Sequence, residues 1–375
     1  MAIAVGSSLN LCRLSSSETR CASRRSCGSD VSRVVPARSC GSFGGASLKF
    51  VGRHHRENAV RMSRIRASVS QSLDDYRVGA TNREDVPMKD LLQCLEEASA
   101  KGREVVMAAV DKPRSVDYKG ATDLVTDTDG RSELAILEVV RKYFPDHLIL
   151  GEEGGVSGDE SSDYLWCIDP LDGTTNFAHS YPSFAVSIAI LLRGKPIAAS
   201  VVEFVGGPFC WDTRTYIASA GGGAFCNGNQ IHVSNKDEVE RALFVTGFGY
   251  EHDEAWATNI DLFKEFTDVS RGVRRLGAAA VDMCHVALGI VEGFWEYRLK
   301  PWDMAAAVLI VEEAGGKVTR MDGGDFCVFD RSVLVSNGIL HEKLLDRISP
   351  PTEKLINDGF DFSQWYKPTG YVSEV

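Results

Sequence analysis

The segment DPLDGTTNF, residues Asp169–Phe177, constrains the structure of this chain more than any other stretch. It follows Tyr164–Ile168, an apolar and aromatic run that predicts a buried strand. Asp169 and Asp172 are therefore expected at the carboxyl end of that strand, where two acidic groups meet a core element. Taken alone, the pattern also fits a plain turn or helix start, since Asp before Gly and Thr is common in both.

Small residues with accessible backbone donors follow the second carboxylate. Gly173 allows the backbone to approach a ligand closely, and the amides of Gly173, Thr174 and Thr175 are predicted to open a short helix. The positive end of a helix suits a phosphate oxygen. We therefore interpret Gly173 and Thr174 as candidate phosphate-binding residues.

Two further segments place acidic residues at the ends of apolar elements. The run DHLILGEEGG ends a short apolar strand in Glu152 and Glu153. The run KPWDMAAAVLIVEEAGG places Asp303 in the first turn of an apolar helix over about Trp302–Ala314. Each group alone fits a loop charge or a helix-start residue. Together with the two aspartates they predict a cation site, because carboxylates near a core need a cation.

The candidate ligands are all hard oxygens, with no His or Cys at metal-binding spacing, which favours Mg2+ over zinc or a soft metal. A calcium-binding EF-hand is excluded by spacing. A twelve-residue loop counted from Asp169 places Ser180 where the bidentate Glu belongs, and a loop aligned on Gly130 places Ile136 there.

These motifs resemble the inositol monophosphatase family, with particular similarity to its plant chloroplast members. GEE at Gly151–Glu153, DPLDGTTNF and PWDMAAA at Pro301–Ala307 occur in the order of that family. KGATDLVTDTD at Lys119–Asp129 fits a fourth motif, and the similarity extends over roughly Leu91–Ile348.

The resemblance implies an α/β fold, a layered αβαβα sandwich, and a site for two Mg2+ ions. Glu152, which it also places among the catalytic residues, would hold the first ion with Asp169 and the backbone carbonyl of Leu171. Asp172 would bridge to a second ion that Asp303 also holds. Inhibition by Li+, replacing one Mg2+, is a further implication.

The resemblance also assigns roles outside the metal ligands. Thr174 and Asp129 would hydrogen-bond to the attacking water and activate it. Ala279 and Glu296 match positions that face the sugar or inositol ring, and Glu153 matches a position near a weaker metal site. The implied substrate-binding set is Asp172, Gly173, Thr174, Ala279, Glu296 and Asp303.

A phosphate substrate would also need positive charge at this site. A phosphomonoester carries nearly two negative charges at neutral pH, and no GxxxxGK[ST] loop is present to receive it. Metal cations would offset that charge and lower the pKa of an attacking water. A phosphoaspartyl intermediate is the less favoured route, because the carboxylates are needed as ligands.

The expected function is therefore a Mg2+-dependent phosphomonoesterase that acts on inositol monophosphates, with sugar-1-phosphates such as galactose-1-phosphate as further substrates. Histidinol-phosphate phosphatase is the alternative within the same reaction class. A non-catalytic metal-binding scaffold with the same fold is the alternative from another class.

The first 73 residues differ in composition from the rest of the chain. They contain 12 Lys or Arg, 3 acidic residues and 16 Ser, with no apolar run long enough for a secretion signal. This composition is typical of an organellar transit peptide, although a disordered extension would share it. We interpret residues 1–66 as a transit peptide to the chloroplast stroma and residues 67–85 as a linker.

The other 302 residues contain 29 basic and 49 acidic side chains. An acidic surface repels nucleic acid and anionic membranes, so neither is an expected partner. The expected partners are a small phosphomonoester and a second copy in a homodimer. Six scattered cysteines in mostly apolar settings predict buried, reduced thiols, with a regulatory pair as the alternative.

Alternating helix and strand patterns predict one catalytic domain over residues 86–348, with lobes at about 86–235 and 236–348. Residues 349–375 are predicted to form a polar, peripheral tail. The main elements predicted are helices over Val86–Val110, Arg131–Phe144, Ala255–Phe266 and Ala279–Ala287, and strands over Phe184–Leu192, Ile197–Phe204 and Phe209–Trp211.

Overall fold

The computed structural model describes residues 86–113, 116–118 and 124–374. The predicted transit peptide and linker, and residues 119–123 of the fourth motif, lie outside the described residues. The helices are α1 (Met88–Met107), α2 (Asp127–Tyr143), α3 (Thr174–Ala178), α4 (Glu254–Val269), α5 (Ala279–Ala287), α6 (Pro301–Glu313) and α7 (His341–Asn357). No helix in this part of the chain is long and apolar enough to cross a membrane.

The strands belong to two larger sheets and one short hairpin. The hairpin joins β1 (Val116–Tyr118) and β2 (Leu124–Thr126). The first large sheet contains β3 (Leu148–Gly151), β4 (Gly155–Ser157), β5 (Tyr164–Asp172), β6 (Phe184–Leu192), β7 (Lys195–Val205), β8 (Asp212–Ser219), β9 (Gly223–Cys226) and β10 (Asn229–Gln230). The second contains β11 (Leu243–Thr246), β12 (Gly272–Arg274), β13 (Gly293–Tyr297), β14 (Lys317–Thr319) and β15 (Ser332–Ser336).

Helices and sheets alternate in five layers, as the resemblance implies. The eight-stranded sheet has the order β10-β9-β8-β7-β6-β5-β3-β4, and the five-stranded sheet has the order β12-β11-β13-β15-β14. Helices α1 and α2 cover one face of the larger sheet, and α5 and α6 lie between the two sheets. Helices α4 and α7 cover the outer face of the smaller sheet. Three apolar clusters fill the spaces between layers, and the αβαβα prediction is confirmed.

Strand β5 is the element that positions the DPLDGTTNF motif. It is buried almost throughout and pairs in parallel with β3 and antiparallel with β6. The pairing with β6 shifts register between Asp169 and Asp172, which is the mark of a β-bulge. The bulge removes Pro170 and Leu171 from the regular ladder, so their carbonyls are free to bond elsewhere.

Helix α6 is apolar around its whole circumference, because it is enclosed between the two sheets. It begins with Pro301 at the first helical position, where a missing N–H has no consequence. Asp303 accepts a hydrogen bond from the Lys300 amide at 2.8 Å and so caps the helix. The local sequence thus carries one carboxylate into an otherwise apolar layer.

Helix α2 starts earlier than predicted, at Asp127 rather than Arg131. The Thr126 side chain accepts a bond from the Thr128 amide, and Asp129 accepts one from the Thr126 amide at 3.0 Å. This reciprocal capping stabilises the extra turn. It also makes Asp129 part of the helix rather than of the preceding loop.

The predicted strand at Phe209–Trp211 is wrong, because β8 begins only at Asp212. Phe209 is exposed and has a φ of 69°, outside the range of a strand. Gly206 and Gly207 also have positive φ, so the chain turns sharply there.

The tail after residue 349 is not peripheral. Helix α7 continues through Pro350 and Pro351 to Asn357, although proline lacks the N–H of a helical hydrogen bond. Thr352 and Leu355 are buried on this helix, and Tyr371 is buried further along. The residues after α7 therefore pack against the body of the protein.

The thiol prediction is confirmed with one exception. Cys210 is exposed, beside the turn that follows β7, and the others are buried. All are free thiols: Cys94, Cys167, Cys210, Cys226, Cys284 and Cys327.

Candidate active site

Acidic side chains from three elements meet at one edge of the larger sheet. Parallel strands β3 and β5 end side by side, and the Glu152 amide donates to the Ile168 carbonyl at 3.1 Å. Glu152 thus stands next to the end of β5, where Asp169 and Asp172 lie. Asp303 approaches from the first turn of α6, close enough to influence both aspartates electrostatically.

Burial and mutual repulsion make two of these carboxylates costly to ionise. Only 2% of Asp169 and 8% of Asp172 is exposed. Burial, then the charges of Glu152, Asp172 and Asp303, raise the pKa of Asp169 well above its usual range. Burial, followed by Asp303, raises the pKa of Asp172 to about 8. Bound cations would relieve this repulsion.

The donor set fits a hard divalent cation by its chemistry. Its members are carboxylate and carbonyl oxygens, which Mg2+ prefers. Among the described residues, no three His, Cys, Asp or Glu side chains lie close enough together to coordinate an ion without moving. The fit therefore rests on oxygen donors and on buried like charges, which a bound cation would stabilise.

Helix α5 holds Asp172 in place, a contact that sequence reasoning missed. The Ala279 amide donates to Asp172 Oδ1 at 3.2 Å, and the Ala280 amide donates to Oδ2 at 2.8 Å. These amides belong to the first turn of α5, whose positive end favours an anion. Ala279, expected to face the substrate ring, therefore also anchors a predicted metal ligand through its backbone.

Thr174 and Asp129, which are both expected beside the attacking water, are hydrogen-bonded to each other. The Thr174 hydroxyl lies 2.9 Å from Asp129 Oδ1 and 3.1 Å from the Leu171 carbonyl, so its single proton can be given to either oxygen. Asp129 is fully buried, and burial raises its pKa to about 6 despite the hydrogen bonds from Thr126 and Thr174.

Gly173 cannot be replaced without strain. Its φ is 84°, and a Cβ would lie 2.9 Å from the Ser183 carbonyl and 3.0 Å from the Ala278 side chain. Asn176, also in the motif, donates to the Ser183 and Leu276 carbonyls at 2.7 Å each. The short helix α3 is thereby fixed against the loop that leads into α5.

Glu133 is a supporting residue that sequence reasoning missed. It is buried on α2, one turn after Asp129, and accepts bonds from the Glu153 amide at 2.9 Å and the Gly154 amide at 2.6 Å. A Cβ on Gly151 or Gly154 would lie 2.6 Å from the Glu133 carboxylate. The signal was present, because residues four apart share a helix face.

We expect Glu133→Gln to lower the free energy of unfolding by about 1–3 kcal/mol, because an amide end would leave a backbone donor unsatisfied. Urea unfolding monitored by circular dichroism measures the change. Glu138→Gln is the matched control, an exposed position on the same helix. Equal stability of the two variants would show that Glu133 does not hold the GEE loop.

Glu296 lies at the end of β13, with 7% of its surface exposed. Its carboxylate packs directly against Gly247, so a side chain at that position would displace it. Burial and Asp303 raise its pKa to about 8, and Arg275 opposes that shift. The nearby Arg298 pairs with Glu251 and Asp253 rather than with Glu296.

Known proteins share the sequence and the fold of this chain. Residues 88–353 match the model of the inositol monophosphatase family. The chain is 70% identical over 311 residues to Phosphatase IMPL1, chloroplastic, of Arabidopsis thaliana, covering 83% of this chain and 84% of that protein. It is 38% identical to Nus factor SuhB of Pseudomonas aeruginosa, covering 70% of this chain and 97% of that protein.

A solved structure shows the same fold. The structure of inositol monophosphatase from Anabaena (Nostoc) matches with a TM-score of 0.63 and 37% identity. The match covers 72% of this chain and all of the Anabaena chain. With its motifs, its five layers and a match over most of its length, the chain belongs to the inositol monophosphatase family.

Proposed function

We propose that the chain is a Mg2+-dependent phosphomonoesterase that hydrolyses inositol monophosphates by direct attack of water. The observation that supports this most strongly is the convergence of four carboxylates beside the Thr174–Asp129 hydrogen bond. A scaffold would gain nothing from a hydroxyl held against a buried carboxylate at that place. The family of phosphatases to which the chain belongs supports the same reaction class.

The oxygen donors support a two-cation site. Glu152, Asp169 and the Leu171 carbonyl would hold one Mg2+, and Asp172 would link it to a second that Asp303 also holds. When bound, two Mg2+ ions neutralise the phosphate charge and lower the pKa of the attacking water. The Gly173 and Thr174 amides would bind the phosphate oxygens from the other side.

Thr174 and Asp129 would take the proton from the attacking water. Because the Thr174 hydroxyl donates to Asp129 Oδ1, its lone pairs are left to accept a proton. The proton can then pass to Asp129, whose second oxygen is held by the Thr126 amide. No covalent intermediate is needed in this sequence.

We expect hydrolysis to fall as the pH drops below about 6, because the proton relay needs an ionised Asp129 and burial raises its pKa to about 6. The plot of kcat/KM against pH measures this acidic limb, with circular dichroism as the control for folding at each pH. A rate that stays constant from neutral pH down to about 5 would contradict the role of Asp129.

We propose that Glu296 recognises the leaving group of the substrate. Its carboxylate would accept hydrogen bonds from ring hydroxyls, and it would also attract an ammonium such as that of histidinol phosphate. Ala279, Asp172 and Asp303 would line the same side of the substrate. The two substrate classes therefore differ in how they respond to a neutral side chain at this position.

We expect Glu296→Gln to lower kcat/KM for inositol-1-phosphate, with a loss of on the order of 1 kcal/mol in transition-state stabilisation. Hydrolysis of a small aromatic phosphate ester, which lacks hydroxyls, should be unchanged. Steady-state kinetics on both substrates measures the difference. Equal losses would show that Glu296 supports the fold or the metals. A larger, salt-sensitive loss on histidinol phosphate would transfer the assignment to the amine substrate.

A substrate panel tests the proposed function. Phosphate release is measured from inositol-1-phosphate, galactose-1-phosphate and histidinol phosphate at equal enzyme and Mg2+ concentrations. We expect the highest kcat/KM with inositol-1-phosphate. Preference for histidinol phosphate would replace the substrate but keep the reaction, and absence of hydrolysis throughout would favour the scaffold.

We also propose import into the chloroplast stroma and assembly as a homodimer. The basic, Ser-rich and acid-poor composition of residues 1–66 supports import, and a 70% identical relative is named as chloroplastic.

We also propose that Glu153 contributes to a further, weaker metal site beside the proposed pair of ions.

A further inference from the structure

The residues after α7 form a strap that contacts both sheets. We define this C-terminal strap as residues 360–374, which lie beyond the family match that ends at residue 353. Its first part packs on the smaller sheet. The Arg298 guanidinium lies 4.6 Å from the ring centre of Phe360, and Arg331 pairs with Asp361 at 3.0 Å and donates to the Ser363 carbonyl at 2.7 Å.

The middle of the strap covers the start of α6. The Trp365 indole donates to the Leu299 carbonyl at 3.1 Å, one residue before Lys300, the N-cap of α6. The Tyr366 ring meets Trp302 edge-on, with ring centres 5.0 Å apart. Tyr366 has a φ of 55°, so the backbone adopts an unfavourable conformation to place this ring.

The far end of the strap is tied to the larger sheet. Only 4% of Tyr371 is exposed, and its hydroxyl accepts a bond from the Gly194 amide at 2.9 Å in the turn between β6 and β7. Glu374 donates through its amide to the Arg193 carbonyl at 2.9 Å, and its carboxylate pairs with the Arg193 side chain at 2.9 Å.

The strap is thus anchored on both sides of the helix that carries Asp303. Leu299 and Trp302, the residues that Trp365 and Tyr366 contact, directly flank the cap that orients this carboxylate. A metal-binding side chain that is already held in position loses less conformational entropy when the metal binds.

We propose that Trp365 and Tyr366 are positioning residues, which hold the first turn of α6 so that Asp303 faces Mg2+. The inference rests on the proposed function for its metal and on the strap contacts for its geometry. Tyr366→Ala removes the ring from Trp302, and Tyr366→Phe keeps it at the same backbone conformation. Trp365→Phe removes the indole donor and also reduces the ring that contacts Arg331 and Tyr366. Glu374→Gln weakens an ion pair at the distant end.

Two measurements on the full chain test the proposal. Without metal, hydrogen exchange in Tyr366→Ala is expected to accelerate at the amides of Asp303–Ala307 and not in the rest of the core. With metal, the Mg2+ concentration for half-maximal thermal stabilisation is expected to rise about tenfold, the size of effect seen when a ligand loses its support. Trp365→Phe should shift both in the same direction, whereas Tyr366→Phe and Glu374→Gln should match the wild type.

Several outcomes would overturn the proposal. One is wild-type exchange and Mg2+ response in Tyr366→Ala. Another is an equal acceleration at all core amides, which would make the strap a general stabiliser. If the wild type shows no stabilisation by Mg2+, the proposed function fails instead, and local exchange at Asp303–Ala307 still decides whether the strap holds α6.

Discussion

Asp169→Asn is expected to lower kcat/KM at least ~100-fold, about 2.7 kcal/mol of transition-state stabilisation, while the chain stays folded. Asp169 is the most buried carboxylate of the proposed metal site, and an amide is a poor replacement for a charged oxygen ligand. The substitution also removes repulsion with Glu152, Asp172 and Asp303. The metal-free variant should therefore be no less stable than the wild type.

Steady-state kinetics and thermal unfolding with and without Mg2+ measure these effects together. Stabilisation by Mg2+ should be lost along with activity. Asp146→Asn, at an exposed position that precedes β3, at the opposite end of the strand from Glu152, is the control for the loss of one charge. Activity within a few-fold of the wild type in Asp169→Asn would reject Asp169 as a metal ligand.

Thr174→Ala is the second change with a large expected effect, a loss of at least ~100-fold in kcat, because a positioned proton acceptor contributes that much or more. The substitution removes the hydroxyl that bonds Asp129 at 2.9 Å. Binding of Mg2+ should persist, since the carboxylates are unchanged. Kinetics and Mg2+-dependent thermal stabilisation separate the two steps.

Thr174→Ser is the matched control, because it keeps the hydroxyl and loses only a methyl group. We expect it to retain most of the activity of the wild type. If Ser and Ala lose the same amount, the hydroxyl has no part in proton transfer. If Ala keeps its activity, water reaches the phosphate without the Thr174–Asp129 pair.

Local signals explain why much of the site could be predicted from the sequence. The apolar run before Asp169 and the small residues after Asp172 lie within one segment, so strand β5 and helix α3 follow from spacing alone. The apolar run after Asp303 likewise indicates helix α6. The five-layer arrangement came from the family resemblance, because no local pattern specifies how two sheets stack.

The parts that were missed depend on contacts between distant residues. The Ala279 and Ala280 amides reach Asp172 across more than 100 residues, and backbone donors carry no sequence signature. Glu133 looks like a surface residue until the GEE loop folds over it. The polar composition after residue 349 predicts a peripheral tail, yet burial of Thr352 and Leu355 accompanies the continuation of α7 through Pro350, since tertiary burial can outweigh local propensity.

Phosphate release from inositol-1-phosphate across a Mg2+ titration tests most directly whether the four carboxylates form a catalytic metal site. The predicted result is a rate that rises saturably with Mg2+, vanishes with a chelator, and does not rise at any concentration tested for Asp169→Asn. A chelator-treated wild type that hydrolyses as fast as the Mg2+-loaded protein would contradict the proposed mechanism.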